Sequence, residues 1–382
     1  MCPSKTSLAS YPSRPEVAKP QTVVQIMDIG LCCRFGSETA ALFGGVATNM
    51  STARPHPGLM LPAENNPDQL QPIHTGALPE FDDLTSPQDR LLTLLEEALY
   101  NLLEKQPSLP VGRSLLVLLL LPPIDTIRGS QVDHQQIQAF LRSTLPEAEQ
   151  VEIRLLTPAD GSVSALLEAC EQLKKGMWDA VLFGGADTLV DTATCLEVMQ
   201  SRALLTAGSS GIFPGEAAVF LFLQKTTTAS GLAHITSLAA TVEPFPGQAD
   251  EKSMTGLAEA IRKSTQDDQN TPEPAAVILP LDASACQTLE WHQVRQNLWP
   301  STQQPIEELY PCHFLGDIGA ATLPLSVALG CARLDFTYTA ITSLLVCEAG
   351  DTPPRGALWL HKPPYPEEAT SRKSSKILTT PL

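Results

Sequence analysis

The chain contains 382 residues, 43% of them hydrophobic, and carries a formal net charge of −17. A chain of this length and composition can bury a large core, as one big or two medium domains. The acidic balance excludes the basic stripe that binds a phosphate backbone, so nucleic acid is not an expected partner. The most apolar run, Leu115 to Leu121, is far shorter than the ~20 residues that cross a bilayer, so no membrane span is predicted.

Cysteine and histidine usage gives no sign of a metal or cofactor site. The nine cysteines form no Cys-x-x-Cys pair, and several lie in apolar segments, which is typical of reduced, buried thiols. The seven histidines are isolated from one another. We therefore predict no metal and no cofactor. Residues 1–20 contain no apolar leader segment, and we expect a cytoplasmic protein with a flexible tail over residues 1–22.

The first part of the chain predicts strands and helices separated by a long polar stretch. Residues 44–84 are polar and rich in proline, so we expect them to be irregular. Ser86 followed by Pro87 predicts the start of a helix, with serine as N-cap. The other elements predicted here are a strand at Val23–Gly30, a buried strand at Leu115–Leu121, and a helix that Asp133 caps and that ends near Leu145.

Residues 151–187 predict a strand, a tight turn, a helix and a second strand. The apolar run stops at Thr157–Gly161, and apolar residues then recur at helical spacing until Gly176. A side chain at this turn would lie at a helix N-terminus, where the macrodipole lowers the pKa of a cysteine and stabilises an oxyanion. The residue at the candidate position is Ala159, which can do no chemistry.

The rest of the chain continues the alternation of strand and helix. Its predicted elements are strands at Ala217–Leu223, Ile235–Val242, Ala275–Leu281, Ala340–Cys347 and Gly356–His361, and helices at Met254–Ser264 and Ala320–Arg333. The order of elements is alike before and after residues 225–231. This similarity indicates a duplicated α/β fold of layered sheets and buried helices.

Four segments, in the right order, resemble the β-ketoacyl synthase branch of the thiolase superfamily. Gly30 to Phe35 is similar to the family's first-strand signature Gly-Met-Ala-Cys-Arg-Phe, and Ser86 to Leu92 is similar to Asp-Pro-Gln-Gln-Arg-Leu-Leu. Ser162 to Gly185 matches the helix behind the family's nucleophile and the strand that follows. The fourth segment combines Gly215 to Val219 with Gly316 to Ala321. These segments together cover most of residues 23–361.

The resemblance implies a thiolase-like duplicated α/β fold, layered α-β-α-β-α, with two mixed five-stranded sheets around buried helices. It places an N-terminal thiolase-like half at residues 23–229, a C-terminal half at residues 230–362, and a flexible tail at residues 363–382. Members of this superfamily dimerise by joining their central sheets edge to edge. A homodimer, or a heterodimer with a related subunit, is therefore the implied assembly.

The resemblance also implies that this chain lacks the family's catalytic residues. The family uses a cysteine nucleophile and two histidines to accept an acyl chain and decarboxylate an extender unit. In alignment with the family's motifs, the cysteine becomes Ala159, the first histidine motif falls at Asp282 and its neighbours, and the second histidine becomes Asp317. The loop Leu204–Phe213 is shortened, and Cys347–Asp351 replaces a glycine-rich turn. We predict a degenerate site with no catalytic residue.

Other side chains that could supply chemistry have structural interpretations. Asp160 and Asp317 each precede a helix and are interpreted as caps. Cys312 and His313 are neighbours, and on a strand they would face opposite sides. Glu216 is interpreted as a buried carboxylate that ties the sheet to a loop.

The sequence supports three alternative hypotheses about function. The leading hypothesis is a catalytically inactive ketosynthase-like protein that acts as a partner subunit, scaffold or adaptor. Chain length factors are the precedent, since they resemble ketosynthases, lack the cysteine and pair with an active subunit. The alternatives are an acyl-transfer enzyme of the β-ketoacyl synthase type with a displaced nucleophile, and a module that binds an acyl ligand.

Overall fold

The computed structural model describes residues 23–63, 66–107, 109, 114–145, 149–226, 231–248, 254–265, 271–282, 284–301 and 305–363. The predicted tail at residues 1–22 lies outside these ranges, as does all of the tail at residues 363–382 except its first residue. The predicted boundary between residues 229 and 230 also lies outside them.

The described residues form twelve strands. They are β1 (Val23–Cys33), β2 (Arg54–Ala63), β3 (Asn66–Thr75), β4 (Ser114–Leu120), β5 (Gln150–Leu156), β6 (Ala180–Thr188), β7 (Glu216–Thr226), β8 (Ala233–Val242), β9 (Ala276–Ile278), β10 (Glu307–Leu309), β11 (Ser343–Glu348) and β12 (Pro354–His361).

The helices in the same part of the chain are α1 (Thr39–Ala47), α2 (Pro87–Lys105), α3 (His134–Thr144), α4 (Ser162–Lys175), α5 (Thr192–Val198), α6 (Gly256–Ser264), α7 (Ala285–Leu298), α8 (Pro311–Leu315) and α9 (Thr322–Asp335). Short 3₁₀ turns at Pro158–Asp160 and Gly319–Ala321 precede α4 and α9.

Ten strands form one sheet in the order β10-β9-β11-β12-β8-β1-β7-β6-β4-β5. Of these ten strands, the five that precede residue 227 lie together and form the first sheet half, and the five that follow residue 231 form the second. Each half mixes parallel and antiparallel pairs. The halves join edge to edge through a short antiparallel ladder between β1 and β8, in which Gln25 pairs with His234. The two predicted five-stranded sheets are thus continuous with each other.

The helices form three layers with the sheet halves between them. In β4, Leu116 and Leu118 face a core shared with α4 and α9, whereas Leu115 and Val117 face a second core shared with α2 and α3. On the second sheet half, Val277 faces a third core with α6 and α7. The order is therefore α-β-α-β-α, and the predicted thiolase-like layered α/β fold is confirmed.

The capping residues and the glycine in the sequence correctly predicted where several helices begin or end. The Ser86 hydroxyl accepts from the Asp89 N–H at 3.4 Å and caps α2, and the Asp133 carboxylate caps α3. Gly176 ends α4 in the left-handed region at φ +72°, which glycine adopts without steric strain. No helix among the described residues combines the length and the apolar character needed to span a bilayer.

The prediction that residues 44–84 are irregular is wrong. This stretch contains the end of α1 and the antiparallel hairpin of β2 and β3. The hairpin forms a separate two-stranded sheet, so each of its strands has one edge free of a partner strand in the described structure. Proline is tolerated on such edges because no ladder hydrogen bond is required there.

Candidate functional site

A cavity of about 200 Å³ lies where the central helices α4 and α9 begin. Loops from both sheet halves surround it, because the strands preceding and following each central helix end at this side of the sheet. Its polar lining residues include Arg128, Ser162, Asp187, Arg202, Asp282, Asp317, Glu348 and Asp351.

The structure brings two of the three predicted site positions into this cavity. Asp282 follows β9 and Asp317 precedes α9, and both side chains line the cavity. Ala159 lies in the 3₁₀ turn before α4 and is exposed, while its neighbour Pro158 lines the cavity. The turn therefore borders the cavity, and the methyl group of Ala159 faces solvent in the single chain.

A carboxylate from the second sheet half caps the N-terminus of α4. The two oxygens of Glu348 accept hydrogen bonds from the backbone N–H groups of Ser162 at 2.6 Å and Val163 at 2.9 Å. Gly161 has φ +92°, and its conformation leads the chain from the 3₁₀ turn into the helix. The interpretation of Asp160 as the N-cap is wrong: Thr157 caps the turn, and Glu348 caps the helix.

The Glu348 cap determines what else the start of α4 can stabilise. Free N–H groups at a helix N-terminus and the positive end of the macrodipole stabilise a nearby anion. Here that anion is the Glu348 carboxylate, whose pKa burial raises although the two N–H donors act in the opposite direction. A second anion next to this helix end would meet a negative charge and occupied donors.

The 3₁₀ turn that precedes α9 also receives a carboxylate, although α9 itself has no side-chain cap. The carboxylate of Asp187, which is 0% exposed, accepts from the Ala320 N–H at 2.9 Å. Arg128 pairs with the same carboxylate at 2.8 Å. Asp317 accepts from the Gly319 N–H of this turn at 3.0 Å. The prediction that it caps the helix is wrong, because no side chain caps the start of α9 itself.

Arg202 forms ion pairs with three aspartates at the edge of the cavity. Its guanidinium lies 2.8 Å from Asp282, 3.2 Å from Asp317 and 2.6 Å from Asp351. Burial alone would lower the pKa of Arg202, but the three carboxylates outweigh burial and raise it. Burial raises the pKa of Asp282, and the Arg202 charge opposes that change. The Arg202 guanidinium thus lies between Asp282 and Asp317, the two positions that align with histidine motifs in the sequence analysis.

The cavity lining carries five carboxylates and two guanidinium groups. The surplus of negative charge disfavours an anionic substrate such as a carboxylated extender unit. Within the described ranges, no group of three or more His, Cys, Asp and Glu side chains is arranged to hold a metal ion.

The thiols near the cavity are poorly suited to nucleophilic attack. Cys312 and Cys347 line it, and burial raises the pKa of both thiols. A thiol must ionise to act as a nucleophile, so such a shift opposes catalysis. Cys312 and His313 lie on the short helix α8 rather than on a strand, and the His313 ring stacks on Tyr310 with centroids 4.9 Å apart.

Glu216 has the structural role predicted for it. Its buried carboxylate pairs with Arg90, and it accepts from the Leu78 N–H at 2.6 Å and the Thr188 hydroxyl at 2.8 Å. The contacts tie β7 to α2, to the residues before α2 and to the end of β6.

The sequence interpretation missed Arg202, Asp351 and Glu348. Arg202 is 80 and 115 residues away from Asp282 and Asp317 along the chain, and Glu348 is 186 residues from Ser162. No local pattern connects residues at such separations. The one available signal was the charged sequence that replaces the glycine-rich turn at Cys347–Asp351.

Comparison with known proteins identifies the fold. No protein-family model and no curated protein sequence matches this chain. Among solved structures, the ishigamide ketosynthase/chain length factor matches with a TM-score of 0.64 and 18% identity, over 89% of this chain and 99% of that chain. A type II polyketide synthase acyl-carrier protein in complex with its ketosynthase, AntDE:AntF, matches with a TM-score of 0.68 and 12% identity, over 90% and 100%.

A third structure is the ketosynthase ApeO in complex with its chain length factor ApeC from Xenorhabdus doucetiae. It matches with a TM-score of 0.63 and 15% identity, over 89% of this chain and 98% of that chain. At these identities the likeness establishes the fold alone. The chain has the thiolase-like fold of ketosynthases and chain length factors.

Proposed function

We propose that this chain is a catalytically inactive ketosynthase-like protein that acts as a partner subunit, scaffold or adaptor. The observation that carries the proposal is the Arg202 ion cluster, which occupies the cavity edge where the resemblance expects two histidines. Ala159, Asp282 and Asp317 are the degenerate positions of the proposed ancestral site.

The surroundings of these positions support the proposal. An active ketosynthase needs a cysteine that ionises at the start of the central helix and two groups that bind or move protons. Glu348 accepts the hydrogen bonds of the first N–H groups of α4, and Arg202 forms ion pairs with Asp282 and Asp317. Neither carboxylate offers the N–H donor of a histidine ring, and the Arg202 guanidinium engages both.

The proposed partner is a related ketosynthase subunit, as in the ketosynthase and chain length factor complex named above. In the described structure β5 has β4 as its neighbour, and its other edge is open. The Leu121 N–H donates to the Leu156 oxygen, so the backbone groups of Leu156 face β4. Since these groups alternate in direction along a strand, those of Val151, Ile153 and Leu155 face the open edge. An open seven-residue edge is suited to pairing with a second sheet.

The test of inactivity is intact-protein mass spectrometry after incubation with acyl-CoA and with an acyl carrier protein. We expect no covalent adduct on the purified chain, and condensation that requires the cysteine of the partner ketosynthase. An acyl adduct on any residue of this chain, or turnover without the partner, would support the acyl-transfer alternative instead.

The test of assembly is sedimentation of the chain with a ketosynthase subunit encoded in the same gene neighbourhood. We expect a 1:1 heterodimer that Val151→Pro abolishes, because proline removes an N–H from the open edge. The matched control Val151→Thr keeps that N–H and should assemble normally. A complex that forms equally well with both variants would place the interface elsewhere, and self-association of the chain alone would indicate a homodimer.

A further inference from the structure

An outer groove of about 590 Å³ adjoins the inner cavity described above. Residues 201–212 form one wall of the groove, and the start of α7 forms another. The groove and the cavity share the lining residues Arg202, Asp282 and Asp351. The Arg202 ion cluster therefore borders both the groove and the cavity.

Residues 199–212 pack on the β2–β3 hairpin, and we call these two segments the lid. The His74 N–H donates to the Leu205 oxygen at 2.8 Å, and the Thr206 hydroxyl donates to the Gln71 side chain at 3.3 Å. The lid has its own small apolar cluster, separate from the three large cores, in which Ile73 packs with residues of α5 and of the segment 199–212. Its members are Ile73, Cys195, Leu204 and Ile212, with Leu59, Leu61, Val198 and Met199 beside them.

Two hydrogen bonds anchor the residues that flank the lid, one between the ends of its two segments and one to α8. The Gly76 N–H donates to the Pro214 oxygen at 2.7 Å, and the Thr52 hydroxyl donates to the Phe314 oxygen at 2.7 Å. Between these anchors, Arg202 extends from the lid to loops that follow β9 and β11. Its side chain is 27% exposed, against 8% for Asp282 and 38% for Asp351.

We infer that Arg202 is a latch, whose ion pairs hold the lid closed and separate the outer groove from the inner cavity. A segment with a small apolar cluster of its own opens locally at lower free energy than the main core. Ion pairs that water can reach in part are also broken more readily than buried packing. Opening of the latch joins the groove to the cavity without disturbing the sheet. This inference does not depend on the proposed function.

The test is amide hydrogen exchange on the full chain and on Arg202→Ala. We expect exchange about tenfold faster at the lid amides that bond within the lid, those of His74, Leu205 and Ile212, and unchanged exchange in β4 and β6. Methylguanidinium in the millimolar range should restore protection in the variant, because the truncated side chain leaves a space for a guanidinium between three carboxylates.

The matched control is Arg154→Ala, which also removes an arginine between two carboxylates, Glu152 and Glu168, but far along the sheet from the lid. It should leave lid exchange unchanged. Asp351→Asn removes the most exposed partner of Arg202 and should accelerate lid exchange about threefold, which tests the latch even if Arg202→Ala folds poorly. Unchanged lid exchange in both variants, or an equal rise in β4 and β6, would overturn the inference.

Discussion

The two central helices begin in similar ways, but the carboxylates that bind near their starts differ in burial and in the groups they contact. Each follows a short 3₁₀ turn at the same cavity, and each receives a carboxylate from the end of a strand in the opposite sheet half. Asp187, at the end of β6, accepts from the Ala320 N–H in the turn before α9, and Glu348, at the end of β11, caps α4. The pair is reciprocal, as expected of a duplicated fold.

The difference between the two carboxylates lies in burial and in the arginine that pairs with only one of them. Asp187 is inaccessible to solvent and is held by Arg128, whereas Glu348 is partly exposed and faces the cavity with two backbone N–H groups as its hydrogen-bond donors. Asp187 therefore belongs to the core. The Glu348 cap lies at the cavity, where it occupies the N–H groups at the start of α4, so its removal should affect the reactivity of groups near this helix end more than folding.

The largest loss of stability should come from Asp187→Asn. The variant leaves the buried guanidinium of Arg128 without its counter-charge, and we expect the free energy of unfolding to fall by about 3 kcal/mol. Denaturant titration measures this change. Asp160→Asn, at an exposed position near the start of α4, should change stability by less than about 0.5 kcal/mol. If both substitutions changed the free energy of unfolding equally, the structural role assigned to Asp187 would be contradicted.

Glu348→Gln should have a smaller effect on stability. The neutral amide accepts one N–H of α4 less strongly and places its own NH₂ near the other, so we expect a loss of about 1 kcal/mol. Glu171→Gln on the same helix removes an exposed pair with Lys175 and serves as the control, with an expected loss of at most about 0.5 kcal/mol. Thermal unfolding of both variants separates the two outcomes.

The fold could be predicted from the sequence where the signals are local. Ser86 and Pro87 mark the start of α2, Gly176 ends α4, and the run of leucines in β4 is buried on both faces. The hairpin of β2 and β3 was missed because its prolines are typical of loops, and they are accommodated on strands that lack a partner on one side.

The candidate site could be predicted only in part. The positions of Asp282 and Asp317 followed from motif order, and the structure brings them to one cavity. Arg202 and Glu348 could not be identified, because each acts on residues from distant segments that only the folded sheet brings together. Asp160 was misassigned because its sequence position is right for a cap, yet a carboxylate from β11 fills that role.

The reactivity of a thiol placed in the 3₁₀ turn before α4 tests what Glu348 does to the start of that helix. We expect the thiol introduced by Ala159→Cys to react with iodoacetamide slowly, and about fivefold faster when Glu348→Gln is added, since the helix end then favours the thiolate. Peptide mass spectrometry measures the rate at position 159. Cys286, the partly exposed thiol at the start of α7, is the internal control and should react equally in both proteins. Equal rates at position 159 would contradict the argument.

The smallest effect should be a pH dependence that arises from Asp282. Burial raises the pKa of Asp282, so the folded protein binds this proton more tightly than the unfolded chain does. Its contribution to the free energy of unfolding therefore falls as the pH rises from the ordinary aspartate pKa through the raised value. The stability of the wild type relative to Asp282→Asn should accordingly be greater near about pH 4 than near about pH 7.

Asp82 provides a control of opposite sign. Its hydrogen bonds from Arg54 lower the pKa of Asp82, so its contribution is present above the ordinary pKa and is lost as the pH falls through the lowered value. Asp82→Asn should therefore cost more stability near about pH 7 than near about pH 3. Because Asp82 is exposed and Asp282 is not, added salt should weaken the Asp82 dependence more. If both variants followed the same pH trend, Asp282 would be governed by its ion pair with Arg202 rather than by burial.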